Sequence, residues 1–323
     1  MSQAMKRFLQ SVAAVAICVS LLPTAADAAQ KKKVEPHRVH RIYGMTKHSS
    51  VVRAVIPAVY EKNGDPALKS TIALVMDQDT HEVLLAKNDS TVQPIASITK
   101  LMTGLLISEA KLPMDEMLTI TQDDVDTEKH SSSRLRVGTT LSRGELLNLA
   151  LMSSENRAAH ALGRTYPGGL DKFVELMNAK AQMLGMKDTH YVEPTGLSSH
   201  NQSSAQDLAT LVKTAYDDPL LREYTTMPGK VVAIGKRTME FHNTNRLVKN
   251  PDWDIGLQKT GYINEAGRCL VMQAKVAGRK LIMVFLDSAG RLSRIADAER
   301  VRHWLERQAS APSGSTVIRQ VNG

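Results

Sequence analysis

The chain has 323 residues, is 42% hydrophobic and 23% charged, and carries a formal net charge of +8. That balance excludes a disordered polymer over the main body and leaves room for one large or two modest domains. With aromatic residues at only 4%, the core has to be built from aliphatic and methionine side chains.

Lys6 and Arg7, the apolar stretch 12–22 and Ala26-Asp27-Ala28 read in order as a signal peptide, residues 1–28, cut near Ala28. The apolar stretch is short for a bilayer span. Cys18 leaves with that segment, so Cys269 remains as a lone thiol in an apolar run, a buried strand residue with no disulfide partner. Cys, His and acidic residues do not cluster at metal-ligand spacing, and neither a metal nor another cofactor is expected. Residues 29–66, basic and irregular with Lys31-Lys32-Lys33, read as a flexible leader. Charge alone would suggest nucleic acid, but an exported protein rarely meets it, and no nucleic-acid partner is expected.

The folded body is expected over 67–308. Two short apolar runs, 70–76 and 81–87, joined by Asp77-Gln78-Asp79-Thr80, predict an antiparallel hairpin. Ile98, Leu101, Met102, Leu105 and Leu106 have helical spacing over 97–110, with Pro94 just ahead. Further helical patterns cover 143–152, 156–163, 170–184 and 205–215, the last capped by Ser203 or Ser204. Extended runs return at 255–260, 268–276 and 280–287, and an amphipathic helix over 292–308 closes the body. Strands at both ends with helices between them predict an α+β fold, one antiparallel sheet flanked by helices with an inserted helical subdomain. Residues 309–323 read as a flexible tail without the pattern of a membrane-surface anchor.

Three short motifs stand in order: Ser97-Ile98-Thr99-Lys100, Ser154-Glu155-Asn156 and Lys259-Thr260-Gly261. The first two have imperfect doubles, Ser108-Glu109-Ala110-Lys111 and Ser199-His200-Asn201. A nucleophilic serine needs a base within hydrogen-bond reach, and residues three apart share a helix face. Ser97 lies at a predicted helix start, where free N–H groups favour developing negative charge; Ser108 lies at the opposite, negative end. Ser97 is therefore the candidate nucleophile. Ser154 sits at a turn between two helices, where a helix cap explains it as well as a cleft does. Ser199-His200-Asn201 reads as a plain surface loop. Strand alternation puts Lys259 and Thr260 on opposite faces, and Gly261 permits close backbone approach; a strand followed by a turn explains that motif equally well.

Taken together, the three motifs resemble the site of penicilloyl serine transferases. The chain resembles the low-molecular-mass penicillin-binding proteins, the D-alanyl-D-alanine carboxypeptidase and endopeptidase family, with a β-lactamase/DD-peptidase-like fold. The likeness runs from about Thr71 to Arg307 and includes Ser133-Arg134-Leu135, Pro194-Thr195-Gly196-Leu197 and Gln206-Asp207-Leu208-Ala209. Within the family it looks most like the periplasmic D-alanyl-D-alanine endopeptidases, because no second β-rich domain or stable membrane anchor is expected. Glu155 and Glu193 depart from the usual family pattern, in a way that could tune substrate preference.

The resemblance implies a Ser97 acyl-enzyme, with Lys100 as a base that must be neutral. Burial and the second cation Lys259 both favour the neutral form. It further implies that Ser154 relays a proton and Asn156 holds the substrate amide. Lys259 and Thr260 would take the substrate carboxylate, and the N–H groups of Ser97 and Tyr262, beside Gly261, would form the oxyanion hole. The expected partners are peptidoglycan stem peptides and cross-bridges, with β-lactam antibiotics as covalent inhibitors. Carboxypeptidase action is the alternative. A β-lactamase stands further off, because Glu193 sits in Glu-Pro-Thr-Gly-Leu and not in a Glu-x-x-Leu-Asn arrangement. A non-catalytic wall-binding protein is the remaining rival.

Overall fold

The computed structural model describes residues 64–310. The expected signal peptide, nearly all of the leader and most of the tail lie outside the described residues. β1 (Ser70–Asp77) and β2 (Val83–Lys87) form the expected hairpin. Asp77 closes its turn by accepting from the N–H groups of Asp79 and Thr80 at 2.9 and 2.8 Å. β3 (Gln93–Pro94) runs into a 3-10 turn, Ala96–Thr99, and then α1 (Lys100–Glu109). The short strands β4 (Met117–Thr119) and β5 (Thr140–Ser142) pair with each other. They lead to α2 (Arg143–Met152), α3 (Asn156–Arg164) and α4 (Gly169–Met183). β6 (Gln202–Ser203) pairs with β3, and α5 (Ala205–Tyr216) and α6 (Pro219–Thr226) follow. A hairpin of β7 (Gly229–Ile234) and β8 (Arg237–His242) precedes the long strands β9 (Asp254–Ile263), β10 (Gly267–Val276) and β11 (Arg279–Ser288). α7 (Ser293–Ser310) ends the described residues.

The helix boundaries have local causes. Ser142 and Glu145 form a reciprocal capping box at α2. Ser204, not Ser203, caps α5 by accepting from Asp207 N–H at 3.2 Å. Asp218 caps α6, with Pro219 at the first helical position, where its missing N–H costs nothing.

The main sheet has the order β2-β1-β11-β10-β9, antiparallel throughout. The first hairpin and the last three strands therefore make one sheet, as their sequence placement predicts. Both faces of it are covered. Ile72, Leu74, Val271, Ile282 and Val284 join the larger core beneath α1, α2 and α5. Their neighbours Ala73, Val75, Met272, Met283 and Phe285 point to the other face, against Val301 and Trp304 of α7. This double burial is why the strands read as near-continuous apolar runs instead of alternating ones. Cys269 is fully buried in β10, and burial pushes its thiol up to about 12.

Asp297 ties α7 to the start of β1. Its buried carboxylate accepts from the N–H groups of Lys69 and Ser70, from Ser70 Oγ at 2.6 Å and from Arg300 at 2.6 Å. Removing the carboxylate strands those donors. Asp297→Ala is expected to lower the unfolding free energy by about 3 kcal/mol, read as a shifted urea midpoint with unchanged slope. An unshifted midpoint would mean that apolar packing alone holds α7.

Candidate active site

All three motifs meet at one cleft of about 460 Å³, whose walls include Ser97, Ser154, Asn156, Thr260, Gly261 and Tyr262. Ser97 stands in the 3-10 turn that leads into α1. In a 3-10 turn, residues i and i+3 eclipse one another, so Ser97 and Lys100 are brought closer than an α-helix would bring them. Ala96 just before has φ 49°, a left-handed conformation unusual for a residue with a side chain. Two glycines make room for that turn. A methyl on Gly196 (φ 81°) would overlap the Ala96 carbonyl, and one on Gly261 would lie 2.9 Å from Ile95 O and 3.1 Å from Ser97 N. β9 thus lies against the Ser97 backbone because residue 261 has no side chain.

Lys100 is fully buried. Its Nζ meets three oxygens: Ser97 Oγ at 2.8 Å, Asn156 Oδ1 at 2.8 Å and the Thr195 carbonyl at 2.6 Å. Burial pushes its pKa down to about 7, while the carboxylates of Glu193 and Glu155 push the other way. Lys259, on the edge strand β9, is also fully buried and donates to Ser154 Oγ and to the Thr260 carbonyl, both at 2.9 Å. Burial, then the nearby Lys100 and Arg294, hold Lys259 well below the usual lysine range. The expected push of Lys259 on Lys100 is not what lowers it: burial does so against the two carboxylates, and the repulsion between the lysines falls on Lys259.

Ser154 occupies the turn between α2 and α3 at φ 62°, again left-handed. Asn156 is the first residue of α3, where a side chain reaches back over the turn. Thr260 Oγ1 lies 2.6 Å from Thr244 Oγ1. Tyr262 is half-exposed at the rim, with the Arg268 guanidinium 4.3 Å from its ring centre on the partnered strand β10.

Several residues at the cleft escaped the sequence reading. Arg294, on α7, lines it and is 9% exposed. Its Nε and Nη1 are buried without a hydrogen-bond partner among the described residues. Nothing in an amphipathic helix pattern marks one arginine among many. Lys129 and Ser131 come from the loop before β5, and Lys129 crosses to Glu265 on the β9–β10 turn at 2.5 Å.

Asn201 corrects the reading of Ser199-His200-Asn201 as a surface loop: it is fully buried. Its side chain donates to Thr99 Oγ1 at 3.1 Å and Glu193 Oε1 at 2.9 Å, and accepts from Val192 N–H at 2.8 Å. The Glu193 carboxylate also accepts from Thr195 and Gly196 N–H, both at 2.6 Å. A polar cluster looks the same in sequence whether it faces water or organises a buried loop. Glu155 likewise points inward, accepting from Ser133 Oγ at 2.7 Å and Arg134 Nε at 3.1 Å.

Residues 60–290 match the model of the peptidase S11 family, described as D-alanyl-D-alanine carboxypeptidase. The D-alanyl-D-alanine endopeptidase of Pseudomonas aeruginosa is 49% identical over 80% of this chain and 84% of its own length. That of Escherichia coli is 42% identical over 75% of this chain and 78% of its own. Among solved structures, the Streptomyces K15 DD-transpeptidase superposes with a TM-score of 0.69 at 26% identity, covering 74% of this chain and 98% of its own. Penicillin-binding protein D2 of Listeria monocytogenes, in its cefotaxime-bound form, gives 0.66 at 28% identity over 73% of this chain and 97% of its own. The chain has the DD-peptidase fold and belongs to the peptidase S11 family, D-alanyl-D-alanine carboxypeptidase, as a serine-type D-alanyl-D-alanine peptidase.

Proposed function

We propose that this chain hydrolyses D-alanyl peptide bonds in peptidoglycan through a Ser97 acyl-enzyme, with cleavage of cross-bridges as its main reaction. The observation that carries it is the surroundings of Lys100. A neutral amine has two N–H groups and one lone pair. Thr195 O and Asn156 Oδ1 are pure acceptors, at 2.6 and 2.8 Å, and they use both N–H groups. The lone pair is then left for the third contact, Ser97, whose hydroxyl donates to it across the same 2.8 Å.

Lys100 takes the Ser97 proton as Oγ attacks the D-alanine carbonyl. The N–H groups of Ser97 and Tyr262 stabilise the oxyanion. The proton passes by way of Ser154 to the leaving amine, the C–N bond breaks and an ester to Ser97 remains. Asn156 also meets the substrate amide. Water, deprotonated by Lys100, then attacks the ester and frees Ser97. Lys259 and Thr260, with Arg294 and its unpaired Nε and Nη1 nearby, supply positive charge and a hydroxyl for the carboxylate beside the scissile bond. A β-lactam presents the same carboxylate next to a strained amide and is trapped as a slowly hydrolysed ester.

Cross-bridge cleavage is favoured over trimming of terminal D-alanine by the identity to the two endopeptidases. A periplasmic site of action follows from the signal-peptide pattern in residues 1–28. Among the described residues, no helix is long and apolar enough to cross a membrane.

Intact-mass measurement after incubation with benzylpenicillin is expected to show one adduct, absent in Ser97→Ala; an adduct that persists in the variant would remove Ser97 from the mechanism. Because only neutral Lys100 accepts a proton, and its pKa lies at about 7, acylation should rise with pH and level off above that value. A rate that falls or stays flat across neutrality contradicts the assignment of the base. Muropeptide analysis of digested walls separates the two bonds: loss of dimers is expected, and shortening of pentapeptides alone would establish the carboxypeptidase reading.

A further inference from the structure

Lys100 directs its lone pair at Ser97 only while acceptors occupy its two N–H groups. One of those acceptors is the Thr195 carbonyl at 2.6 Å, a main-chain oxygen in the stretch between α4 and β6 that has no regular structure. Something has to fix the rotation of that peptide unit.

A trans peptide unit points its C=O and its N–H in opposite directions, so holding one end aims the other. The unit whose oxygen faces Lys100 has the Gly196 N–H at its far end, and that N–H donates to Glu193 Oε1 at 2.6 Å. The unit before it is held in the same way. Its Pro194 carbonyl accepts from Thr103 Oγ1 on α1 at 2.7 Å, and its Thr195 N–H donates to Glu193 Oε2 at 2.6 Å. Two successive peptide units are thus pinned between α1 on one side and a single carboxylate on the other. A bond from N–H to a charged acceptor also polarises the peptide unit, which makes the carbonyl at its opposite end a stronger acceptor.

Glu193 is fixed in turn. Ser198 N–H at 3.3 Å and Asn201 Nδ2 at 2.9 Å bring the donors on its carboxylate to four, and Asn201 is itself bonded to Thr99 beside Lys100. Four donors fill the lone-pair directions of a carboxylate. The residues lining the cleft do not include Glu193. With its acceptors used inside the loop, it is not placed to activate a water for ester hydrolysis.

We infer that Glu193 is a positioning residue whose carboxylate clamps the Pro194–Thr195 and Thr195–Gly196 peptide units by their N–H ends and so aims the Thr195 carbonyl at Lys100. The inference rests on the Ser97–Lys100 acyl-enzyme reading and extends it by a residue that touches no reacting atom.

Without the carboxylate the Thr195 carbonyl is free to turn away, and the Lys100 lone pair is no longer directed at Ser97. That lowers the rate of acylation on its pH plateau. The Lys100 cation also loses an acceptor and a nearby negative charge. Burial holds this lysine down to about 7 against Glu193 and Glu155, so removing Glu193 lowers it further and the plateau is reached at lower pH. The other charged groups facing Lys100 are unchanged: Glu155 from the α2–α3 turn and Lys259 from β9.

The test is the acylation rate with a fluorescent penicillin, followed across neutral pH for the full peptidase and for Glu193→Ala, Glu193→Gln and Glu193→Asp. Glu193→Ala is expected to lose roughly tenfold in plateau rate, the equivalent of one hydrogen bond, with a midpoint moved to lower pH. Glu193→Asp keeps the charge on a side chain that bonds readily to backbone N–H just ahead of it, and should recover most of both effects. Glu193→Gln keeps the shape but loses the charge and sets an NH2 group against one of the two backbone donors. Its midpoint should also lie below that of the unaltered protein, and it carries the comparison if Glu193→Ala loses its cooperative thermal transition. A wild-type rate and midpoint in the folded neutral variants overturns the inference. So does a loss of rate with an unmoved midpoint, which is what a merely structural residue would give. Failure of the unaltered protein to take any covalent label would instead overturn the acyl-enzyme reading, so the two failures are distinguishable.

Discussion

A lysine amine sealed from water and touched by three oxygens is the constraint around which this molecule is arranged. The three come from the 3-10 turn that carries Ser97, from the start of α3 at Asn156 and from the loop carbonyl of Thr195. Moving any of the three contributors by an ångström would leave Lys100 either exposed, and so charged, or buried with an unmet N–H. Burial of an amine is unfavourable to its cation by several pKa units, and the fold turns that cost into function. It removes solvent on all sides and then meets each remaining bonding direction with one oxygen.

Holding those contributors in place uses backbone that most sequences avoid. Ala96 and Ser154 both sit at positive φ, 49° and 62°, on the two segments that approach Lys100. Each such conformation costs on the order of 1 kcal/mol for a non-glycine residue and persists only where surrounding contacts over-determine it. Those contacts are visible. Gly196 and Gly261 pack directly on the Ala96–Ser97 peptide, and Asn201 bonds to Thr99 in the same turn. At Ser154, the following N–H of Glu155 bonds to Leu149 O at 3.1 Å and Lys259 bonds to the hydroxyl. Strain beside Ser97 is thus balanced from the loop before β6 and from β9. That is why residues a hundred positions apart in the chain have to be read as one unit.

The sheet, the helix order and the three motifs were legible because each has a period or a local reason. Apolar runs gave the strands, 3.6-residue spacing gave the helices, and a helix start separated Ser97 from Ser108. What escaped the sequence lies where polar residues turn inward. Asn201 stands in a stretch rich in Ser, Asn and Gln, whose composition is that of a solvated loop, yet it bonds to Glu193 and to Thr99 in the Ser97 turn. Arg294 belongs to a helix with three other arginines, and only its position in the cleft wall distinguishes it. Burial of a polar residue depends on what the rest of the chain brings to it, and no local pattern records that.

The composition of the cleft bears on how the proposed reaction would discriminate between peptide bonds. Arg294 lines the cleft, with Lys259 buried behind Ser154 and Thr260, and the carboxylates nearest to Lys100, Glu155 and Glu193, are committed to bonds within the protein. A site so supplied with cations favours an anion next to the scissile bond. Both a terminal D-alanine and the amino-acid centre of a cross-bridge carry a carboxylate one carbon from the amide nitrogen. On the proposed reading, Lys259 and Arg294 would meet both leaving groups alike and set the class of substrate without setting its length. On that reading, length has to be sensed outside the inner site. At the rim, Tyr262 stands on Arg268 and the Lys129–Glu265 pair joins the helical side of the cleft to the β9–β10 turn. On the proposed reading these rim groups are what a longer leaving group meets, so they are where a preference for the cross-bridge would be built.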